Sequence, residues 1–552
     1  PGVPTAGPAA APRPRETGPT LPADQTRAVE AMIGALGQFR PLLLHGVTGR
    51  GKTEVYLAVI DAVLGRGGQA LVLVPEIGLT PQLLERFRAR FDVPVVALHS
   101  GLTAAERLAA WRSARDGEAG VVIGTRSAVF TPLARCGLIV VDEEHDASLK
   151  QQDGFRYSAR DLAVVRARLQ DVPVVLGSAT PSLETLHNAG RGRYERLHLP
   201  ERPGQAVHPT MRLIDLRVTP TRDGLTAPLL TAIRRHLDDG GQVMLFLNRR
   251  GFAPTLFCPG CGWTADCPRC DARLTLHQRP DGLQCHHCGH RSARTAICPD
   301  CGEEPVAAGQ GTERIEEALA RHFPDAPLAR LDRDTVRSRG ELEAVLAGMR
   351  DGHTRLLVGT QMLTKGHDFP GVTLVGVLNA DQGLFGTDFR SDERLAQTIL
   401  QVSGRAGRRD RPGEVLLQTS FPEHPLLACL IDGGYEDFAR QALTHRSAAG
   451  WPPFAHLALV RAEAVARSEP QDFLAACAGL ARDLLPATVR ILGPAPSPME
   501  RRQGRYRAQL LLQTTERPAL RRALPALLEA IAALPAARRV RWSLDVDPGE
   551  LF

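Results

Sequence analysis

Short apolar runs recur through the first two hundred residues, separated by longer segments of mixed polarity. They cover residues 41–45, 70–75, 93–98, 120–124, 137–145 and 172–180. Apolar strands that alternate with helices are typical of a parallel sheet covered on both faces. Such sheets carry their chemistry in the loops at the carboxyl ends of the strands. The pattern therefore predicts an α/β fold for this part of the chain.

Composition narrows the class of protein without deciding its function. At 552 residues the chain is too long for one core, and three or four domains are expected. Hydrophobic content of 43% and charged content of 23% describe a globular chain. No run of eighteen apolar residues occurs, so we expect no membrane segment. The net charge of +6 permits nucleic-acid binding but does not require it.

A glycine-rich loop directly follows the first apolar run. It includes Gly46, Gly49 and Gly51, continues into Lys52 and Thr53, and precedes a helix-like segment. Strand, glycine loop and helix in this order predict a phosphate-binding loop, in which backbone N–H groups surround the phosphates. Lys52 is expected to hold the β- and γ-phosphates and Thr53 to ligate Mg²⁺. The chemistry predicted is ATP binding.

An acidic cluster ends the fifth run. Asp142 is expected to reach Mg²⁺, and Glu143 to orient and deprotonate the attacking water. The alternative, a solvated acidic turn, is disfavoured because four apolar strand residues precede the cluster.

Basic and polar residues far downstream supply a second candidate group. Lys365 lies in a loop after the apolar run 356–359, and Gln401, Arg405 and Arg408 follow further on. The two arginines are three apart, which places them on one face if the segment is helical. Arginines in such a place can act as fingers on the transferred phosphate.

Eight of the eleven cysteines form four Cys-x-x-Cys pairs between residues 258 and 301. Two pairs make a Cys₄ tetrahedron, so eight ligands predict two structural zinc ions. The fourteen-residue spacing of the inner pairs favours Cys267, Cys270, Cys285 and Cys288 as one site. Cys258, Cys261, Cys298 and Cys301 then form the other. A sequential pairing remains an alternative, and disulfides or an iron–sulfur cluster fit less well.

Taken together, these motifs resemble superfamily 2 helicases, and within them the bacterial replication-restart helicases. The resemblance extends over about residues 20–552 and includes GVTGRGKTEVY, DEEHDASLKQQDGFRYSARDLAV, GSATPSLETL, GTQMLTKGHDFPGVTLV and QVSGRAGR. It implies two RecA-like parallel-sheet motor lobes, a two-zinc insertion in the second lobe and a C-terminal α+β domain. It also implies an ATP-dependent 3′→5′ DNA helicase that remodels stalled forks and starts primosome assembly.

The resemblance implies partners and further site residues as well. The partners are single-stranded and forked DNA, the single-stranded DNA-binding protein, and primosome and helicase-loading proteins, in the cytoplasm near the nucleoid and without a membrane. Gln25 would contact adenine. Phe155, Arg156 and Tyr157, in the loop after the acidic cluster, and Lys365 would couple DNA binding to hydrolysis. If Phe155 and Tyr157 were core residues instead, that coupling would fail.

From these observations we expect six segments. They are a Pro/Ala-rich disordered linker at 1–19, the first motor lobe at 20–205, the start of the second lobe at 206–257, the zinc insertion at 258–301, the rest of the second lobe at 302–440 and the C-terminal domain at 441–552. In that last domain Arg501, Arg502, Arg505 and Arg507 are read as a basic loop. The linker would follow amino-terminal DNA-binding domains of the family. The alternative function is a restart scaffold with a silent or weakly coupled motor.

Overall fold

The structure is a computed structural model that describes residues 18–47, 51–75, 81–199, 209–248, 255–278, 281–308, 312–332, 335, 339–360, 363, 369–386, 388–407 and 412–551. Of the predicted linker at 1–19, only residues 18 and 19 are among them. The chain separates into two compact units whose main division lies between Ala206 and Val207.

The first unit is built on a seven-stranded sheet. Its helices are α1 (Ala23–Gly34), α2 (Lys52–Gly65), α3 (Pro81–Arg90), α4 (Ala104–Arg115), α5 (Ala159–Gln170) and α6 (Leu183–Gly190). Its strands are β1 (Pro41–Gly46), β2 (Gln69–Leu73), β3 (Val95–Leu98), β4 (Val121–Gly124), β5 (Cys136–Asp142), β6 (Val174–Ser178) and β7 (Glu195–Leu199). The strand order is β3-β4-β2-β5-β6-β1-β7, and every neighbouring pair is parallel.

Successive residues of each central strand enter two different cores. On β5, Val140 packs with α1 and α2 on one face, whereas Ile139 and Val141 pack with α5 on the other. Burial on both faces explains why these strands read as continuous apolar runs.

The second unit begins with a parallel sheet that a cysteine-rich insertion interrupts. The chain runs through β8 (Thr210–Asp215), β9 (Thr221–Arg222), β10 (Leu225–Thr226), α7 (Ala227–Asp238) and β11 (Gln242–Leu247). The insertion contains β12 (Thr255–Phe257), β13 (Thr275–Gln278), β14 (Asp281–Gln284), β15 (Arg291–Ser292) and β16 (Val306–Ala308). Because β12 pairs antiparallel with β16, the insertion leaves and rejoins the unit at one place.

The sheet is completed after the insertion. The elements are α8 (Thr312–His322), β17 (Leu328–Leu331), α9 (Arg339–Arg350), β18 (Leu356–Gly359), β19 (Val372–Leu378), α10 (Ser391–Ser403) and β20 (Glu414–Thr419). Its six strands lie in the order β17-β18-β11-β19-β20-β8, all parallel.

The C-terminal part is an antiparallel sheet with helices. The elements are α11 (Pro425–Asp432), α12 (Gly434–Ala449), β21 (His456–Ala464), α13 (Glu469–Leu484), β22 (Arg490–Arg502), β23 (Arg505–Thr514), α14 (Arg517–Ala533) and β24 (Arg541–Val546). The strand order is β22-β23-β21-β24, with α13 and α14 packed on one face. The predicted fold class is thereby confirmed. The prediction of a basic loop in this domain was wrong. Its four arginines belong to the paired strands β22 and β23, namely Arg501, Arg502, Arg505 and Arg507.

A buried ion pair joins α10 to α12. Arg446 donates to Glu393 Oε2 at 2.7 Å, and the two side chains are 6% and 4% exposed. Arg446 also donates to the carbonyls of Pro452 and Phe389 at 3.1 and 3.2 Å. The Phe389 ring stacks on Trp451 with centroids 5.1 Å apart. A charge so deeply buried is tolerated only while its partners remain in place.

Replacing Arg446 by methionine should destabilise the second unit by about 3 kcal/mol, because buried Glu393 would lose its nearest cation and keep the more distant Arg390, at 3.7 Å. Chemical denaturation, followed by the fluorescence of Trp451 in a background where Trp111, Trp263 and Trp542 are replaced by phenylalanine, measures the loss. The matched control is Arg440→Ala in the same helix. Arg440 pairs with Asp437 at 2.9 Å but is 75% exposed, so its removal should cost less than about 1 kcal/mol. Equal losses for the two variants would contradict this account of the ion pair.

Candidate active site and metal centres

Gly51 and Lys52 begin the helix that follows the glycine loop. Gly51 caps α2 with φ +73°, a left-handed conformation that glycine adopts at little cost. Lys52 is buried, and its Nζ donates to the Gly46 carbonyl at 3.1 Å. The lysine therefore folds back across the loop. Thr53 follows it in the first turn of α2, while Gly49 lies outside the described residues.

Gln25 lies against the end of this loop. It is buried in α1, and a Cβ added to Gly51 would come within 2.9 Å of its Nε2. The amide is thus beside the helix start at which phosphates are expected.

Asp142 ends β5 beside a tyrosine of α2. Its Oδ1 accepts a hydrogen bond of 3.0 Å from the Tyr56 hydroxyl, whose pKa is raised by burial and by this carboxylate. Burial, and then the charge of Glu143, raise the pKa of Asp142 to about 6, although Lys52 and Tyr56 act to lower it. A buried carboxylate is stabilised in its ionised form by a nearby cation, and carboxylate oxygens are ligands that divalent metals such as Mg²⁺ prefer.

Glu143 has an uncommon backbone conformation for a side chain of its size. Its φ is +47°, in the left-handed region that costs of order 1–3 kcal/mol outside glycine and is concentrated at functional sites. Its Oε1 lies 3.9 Å from Lys52 Nζ, and its Oε2 lies 3.7 Å from His145 Nδ1. The strained residue therefore holds its carboxylate between Lys52 and His145.

His145 connects the acidic cluster to the end of β6. Its Nδ1 is 2.7 Å from Ser178 Oγ, which also accepts the Thr180 N–H at 2.9 Å. A change at Glu143 can thus reach the next strand through three side chains.

Glu144 has a different role from its two acidic neighbours. Its buried carboxylate accepts from Ser182 N at 2.7 Å, Thr185 Oγ1 at 2.9 Å and Arg160 at 3.3 Å. Because Ser182 caps α6, this network ties the end of β5 to the start of α6. It is a structural network whose partners could not be read from local sequence.

The predicted coupling loop presents an aromatic cluster. Phe155 is 77% exposed, so the interpretation of this ring as a core residue was wrong. Its centroid lies 5.8 Å from that of Tyr157, which in turn lies 4.8 Å from that of Phe130. Phe130 is 54% exposed and was missed, because its segment reads as an ordinary apolar stretch. Arg156 donates to the Gln152 carbonyl at 2.9 Å within the loop.

A cleft of about 430 Å³ opens beside this cluster. Its walls come from α4, the carboxyl ends of β3 and β4, and the coupling loop. Arg107, Trp111, Arg126, Phe130 and Tyr157 are among its lining residues. Basic and aromatic side chains in one open groove match the chemistry of a single nucleic-acid strand.

Two of the downstream residues, Gln401 and Arg405, belong to the second unit. Gln401 lies in the last turn of α10, which ends at Ser403, and Arg405 is buried in the turn that follows. Arg405 therefore lies outside the helix, and the shared face of the two arginines stays a prediction. Arg408 and Lys365 lie outside the described residues.

The eight cysteines of the insertion form two separate groups. Cys258, Cys261, Cys298 and Cys301 make one, and Cys267, Cys270, Cys285 and Cys288 make the other, with the sulfurs of each group within 4.8 Å of one another. The Sγ atoms of Cys258 and Cys301 are 3.3 Å apart, and those of Cys267 and Cys288 are 3.7 Å apart. A tetrahedral zinc site with Zn–S bonds of about 2.3 Å has sulfurs roughly 3.8 Å apart. Each group therefore fits one zinc ion, which makes two in all.

Four family models match successive parts of the chain. They are the DEAD/DEAH box helicase at residues 23–189, the PriA DNA helicase Cys-rich region at 267–292, the helicase conserved C-terminal domain at 306–410 and the primosomal protein N C-terminal domain at 447–549.

Relatives similar over nearly the whole chain carry the name replication restart protein PriA. The protein of Haemophilus influenzae is 47% identical over 533 residues, covering 96% of this chain and 73% of the relative. That of Bacillus subtilis is 40% identical over 93% of this chain and 64% of the relative. That of Synechocystis is 42% identical over 96% and 65%.

Two solved helicase structures are similar to this chain at low sequence identity. RecG bound to a three-way DNA junction matches at 18% identity and a TM-score of 0.45, over 77% of this chain and 46% of that one. The helicase MrfA bound to DNA matches at 14% identity and a TM-score of 0.48, over 76% and 51%. The family assignment rests on the sequence relatives.

Asp142→Asn should stabilise the protein above pH 6. An unfolded aspartate titrates near pH 3.9. Because the folded pKa is higher, the folded state binds the proton more tightly, and stability falls as the pH rises from about 4 to about 6. Asparagine is neutral and still accepts from Tyr56. We expect a gain of about 3 kcal/mol at pH 7.5 that falls to about half at pH 5.

Thermal unfolding at the two pH values, without nucleotide or Mg²⁺, measures this difference. Glu30→Gln, which removes one carboxylate from the exposed face of α1, is the control and should leave stability unchanged at both. A gain that does not depend on pH, or a loss at pH 7.5, would contradict the raised pKa.

Proposed function

This chain belongs to the PriA family of replication restart DNA helicases, and on that premise we propose that it is a 3′→5′ helicase and translocase. It hydrolyses ATP, recognises and remodels stalled forks, and initiates restart through primosome assembly. Family membership makes it an ATP-dependent DNA helicase of primosome assembly. The polarity, the preference for forks and the roles of single residues are the proposal.

The observation that carries the proposal is the position of Glu143. Its carboxylate lies 3.9 Å from Lys52 Nζ, and its left-handed backbone is strained. A base next to the phosphate lysine can orient and deprotonate a water for attack on the γ-phosphate. A scaffold without a motor has no use for this strain.

Other residues complete the proposed hydrolytic site. Thr53 and Asp142 hold Mg²⁺, which when bound neutralises charge on the phosphates. Gly46, Gly49 and Gly51 present backbone N–H groups to the phosphates. Gln25, whose amide lies beside Gly51, binds adenine. Gln401, Arg405 and Arg408 sense the γ-phosphate, with the arginines as fingers.

DNA binding is proposed for the aromatic cluster and its cleft. Phe155, Tyr157 and Phe130 offer ring faces on which bases stack, and Arg156 and Lys365 add charge. Stacking is tolerant of sequence, as a translocating motor requires. The loop begins just after the acidic cluster, so the same loop can report DNA binding to Glu143 through His145.

The cysteine groups are proposed to hold two structural zinc ions. Little apolar surface is available to the insertion, whose core is small and includes Cys267, Cys270 and Cys285 themselves. Metal binding then supplies much of its folding free energy.

We also propose the domain division 1–19, 20–205, 206–257, 258–301, 302–440 and 441–552, and partners of the restart system. These are single-stranded and forked DNA, the single-stranded DNA-binding protein, and primosome and helicase-loading proteins, in the cytoplasm near the nucleoid. Among the described helices, none combines the length and apolar character needed to cross a membrane.

Single-stranded DNA should stimulate ATP hydrolysis, and the stimulated rate should depend on the site residues. Lys52→Ala and Glu143→Gln should each lower it at least about 100-fold, because each removes a group that acts in the transition state. Arg66→Ala, at the exposed far end of α2, is the control and should keep the wild-type rate. No stimulation in the wild type, together with no effect of Lys52→Ala, would favour the scaffold instead.

The aromatic cluster should set the DNA concentration at which stimulation is half-maximal. Phe155→Ala and Phe130→Ala should each raise it roughly 5- to 100-fold, since stacking contributes about 1–3 kcal/mol per base. Hydrolysis without DNA should not change. Phe155→Trp should restore tight binding, and Leu169→Ala, an 81% exposed residue of α5, should have no effect. Equal responses for Phe155→Ala and Leu169→Ala would exclude the cluster from the DNA path.

A further inference from the structure

Three of the four Cys-x-x-Cys turns share one self-contained geometry. In each, the residue after the second cysteine is a glycine with positive φ, namely Gly262, Gly289 and Gly302. Its N–H donates to the carbonyl of the first cysteine at 2.8–3.0 Å. Left-handed glycine thus closes these three turns by bonds within the turn itself.

The fourth turn, Cys267 to Cys270, departs from this pattern. Asp271 stands at the glycine position, and its N–H donates instead to the Arg501 carbonyl at 2.8 Å. In return, the Asp271 carboxylate accepts the Arg501 N–H at 2.5 Å. The bond that closes the other turns internally is therefore supplied here from the C-terminal domain, 230 residues away.

The contact comes from the tip of the β22–β23 hairpin. Gln503 and Gly504 form its two-residue turn, with φ +54° and +76°. Positive φ at both central residues is characteristic of a type I′ turn, in which Asn-Gly is the usual sequence. Glutamine in the left-handed region is strained, and such strain persists where surrounding contacts hold it.

Those contacts lead directly to the inner cysteine group. The Gln503 N–H donates to Cys270 Sγ at 3.2 Å, and Gly504 N donates to the Arg269 carbonyl at 2.7 Å. Gln503 Nε2 lies 3.4 Å from the carbonyl of His287, between the other two ligands of the group. The hairpin tip therefore contacts both turns of the inner site.

We propose that the tip of the β22–β23 hairpin is part of the inner zinc site, as the hydrogen-bond donor to the Cys270 ligand. Metal binding in the insertion and docking of the C-terminal domain then stabilise each other. An N–H directed at a thiolate offsets its negative charge and fixes its orientation, and groups of this kind change metal affinity by about 10- to 100-fold. The inference rests on the proposal that the inner group holds zinc.

Zinc release from the full-length chain tests the inference. Metal analysis first establishes two zincs per chain. A chromogenic chelator in excess then measures release from Cys261→Ser/Cys301→Ser, in which only the inner site remains. Adding Gln503→Pro, which removes the donor, or Asp271→Ala, which removes the Arg501 acceptor, should accelerate release about 10-fold or more.

Two variants are the controls. Gln503→Gly keeps the N–H and suits the positive φ, so release should stay slow. Asp281→Ala removes an exposed carboxylate of β14 in the same insertion and should also have no effect. Fewer than two zincs in the wild type would overturn both the zinc assignment and this inference. Two zincs with unaltered release in Gln503→Pro and Asp271→Ala would overturn this inference alone.

Hydrogen exchange tests the reverse direction. Stripping zinc from the wild type should speed exchange of the Gln503 and Gly504 amides, while β21 in the domain core stays protected. Unchanged exchange at the hairpin tip after the inner zinc is lost would overturn the coupling, whatever the release rates.

Discussion

The chemistry of the first unit depends on the register of three neighbouring parallel strands. Because β5, β6 and β1 are adjacent, Asp142, Ser178 and Gly46 end at one edge of the sheet. One missing side chain makes this arrangement possible. A Cβ on Gly177 would lie 1.6 Å from the Tyr56 hydroxyl, which donates to Asp142. Any larger residue at that position would displace the tyrosine and remove its hydrogen bond to the carboxylate that we propose as a Mg²⁺ ligand.

The same strand register places the strained residue Glu143 within reach of groups on two other elements. Glu143 takes its left-handed conformation one residue beyond the strand, where the sheet no longer fixes the backbone. Its carboxylate faces Lys52 on one side and His145 on the other, and His145 reaches Ser178 on β6. In the proposed mechanism, loss of the γ-phosphate changes the charge around Lys52. A series of two charge contacts, at 3.9 and 3.7 Å, and one hydrogen bond to the adjacent strand is a physical means for that change to move backbone.

The sequence was sufficient to predict contiguous motifs and the strands that are buried on both faces of the sheet. The central strands appear as continuous apolar runs, and the phosphate loop and acidic cluster are contiguous motifs. The edge strand β7 (Glu195–Leu199) was missed because it alternates between exposed and covered residues and so lacks an apolar run. Phe130 was missed because only the folded chain brings it to Tyr157. Arg405 was assigned to a helix face although Gly404, a residue type common at helix ends, directly follows Ser403 and caps α10.

The cysteine insertion shows where that limit lies. Spacing alone favoured the nested grouping of the eight thiols, because fourteen residues separate the two inner pairs, and the structure groups the thiols in this way. Asp271 was visible as the one non-glycine among four equivalent positions, yet its partner on β22 could be found only in three dimensions. Where one turn of a repeated set lacks the usual glycine, as at Asp271, the hydrogen bond that closes the other turns internally is made with another segment. Because buried N–H groups and thiolates must be satisfied, such a position is where a distant segment is expected to dock.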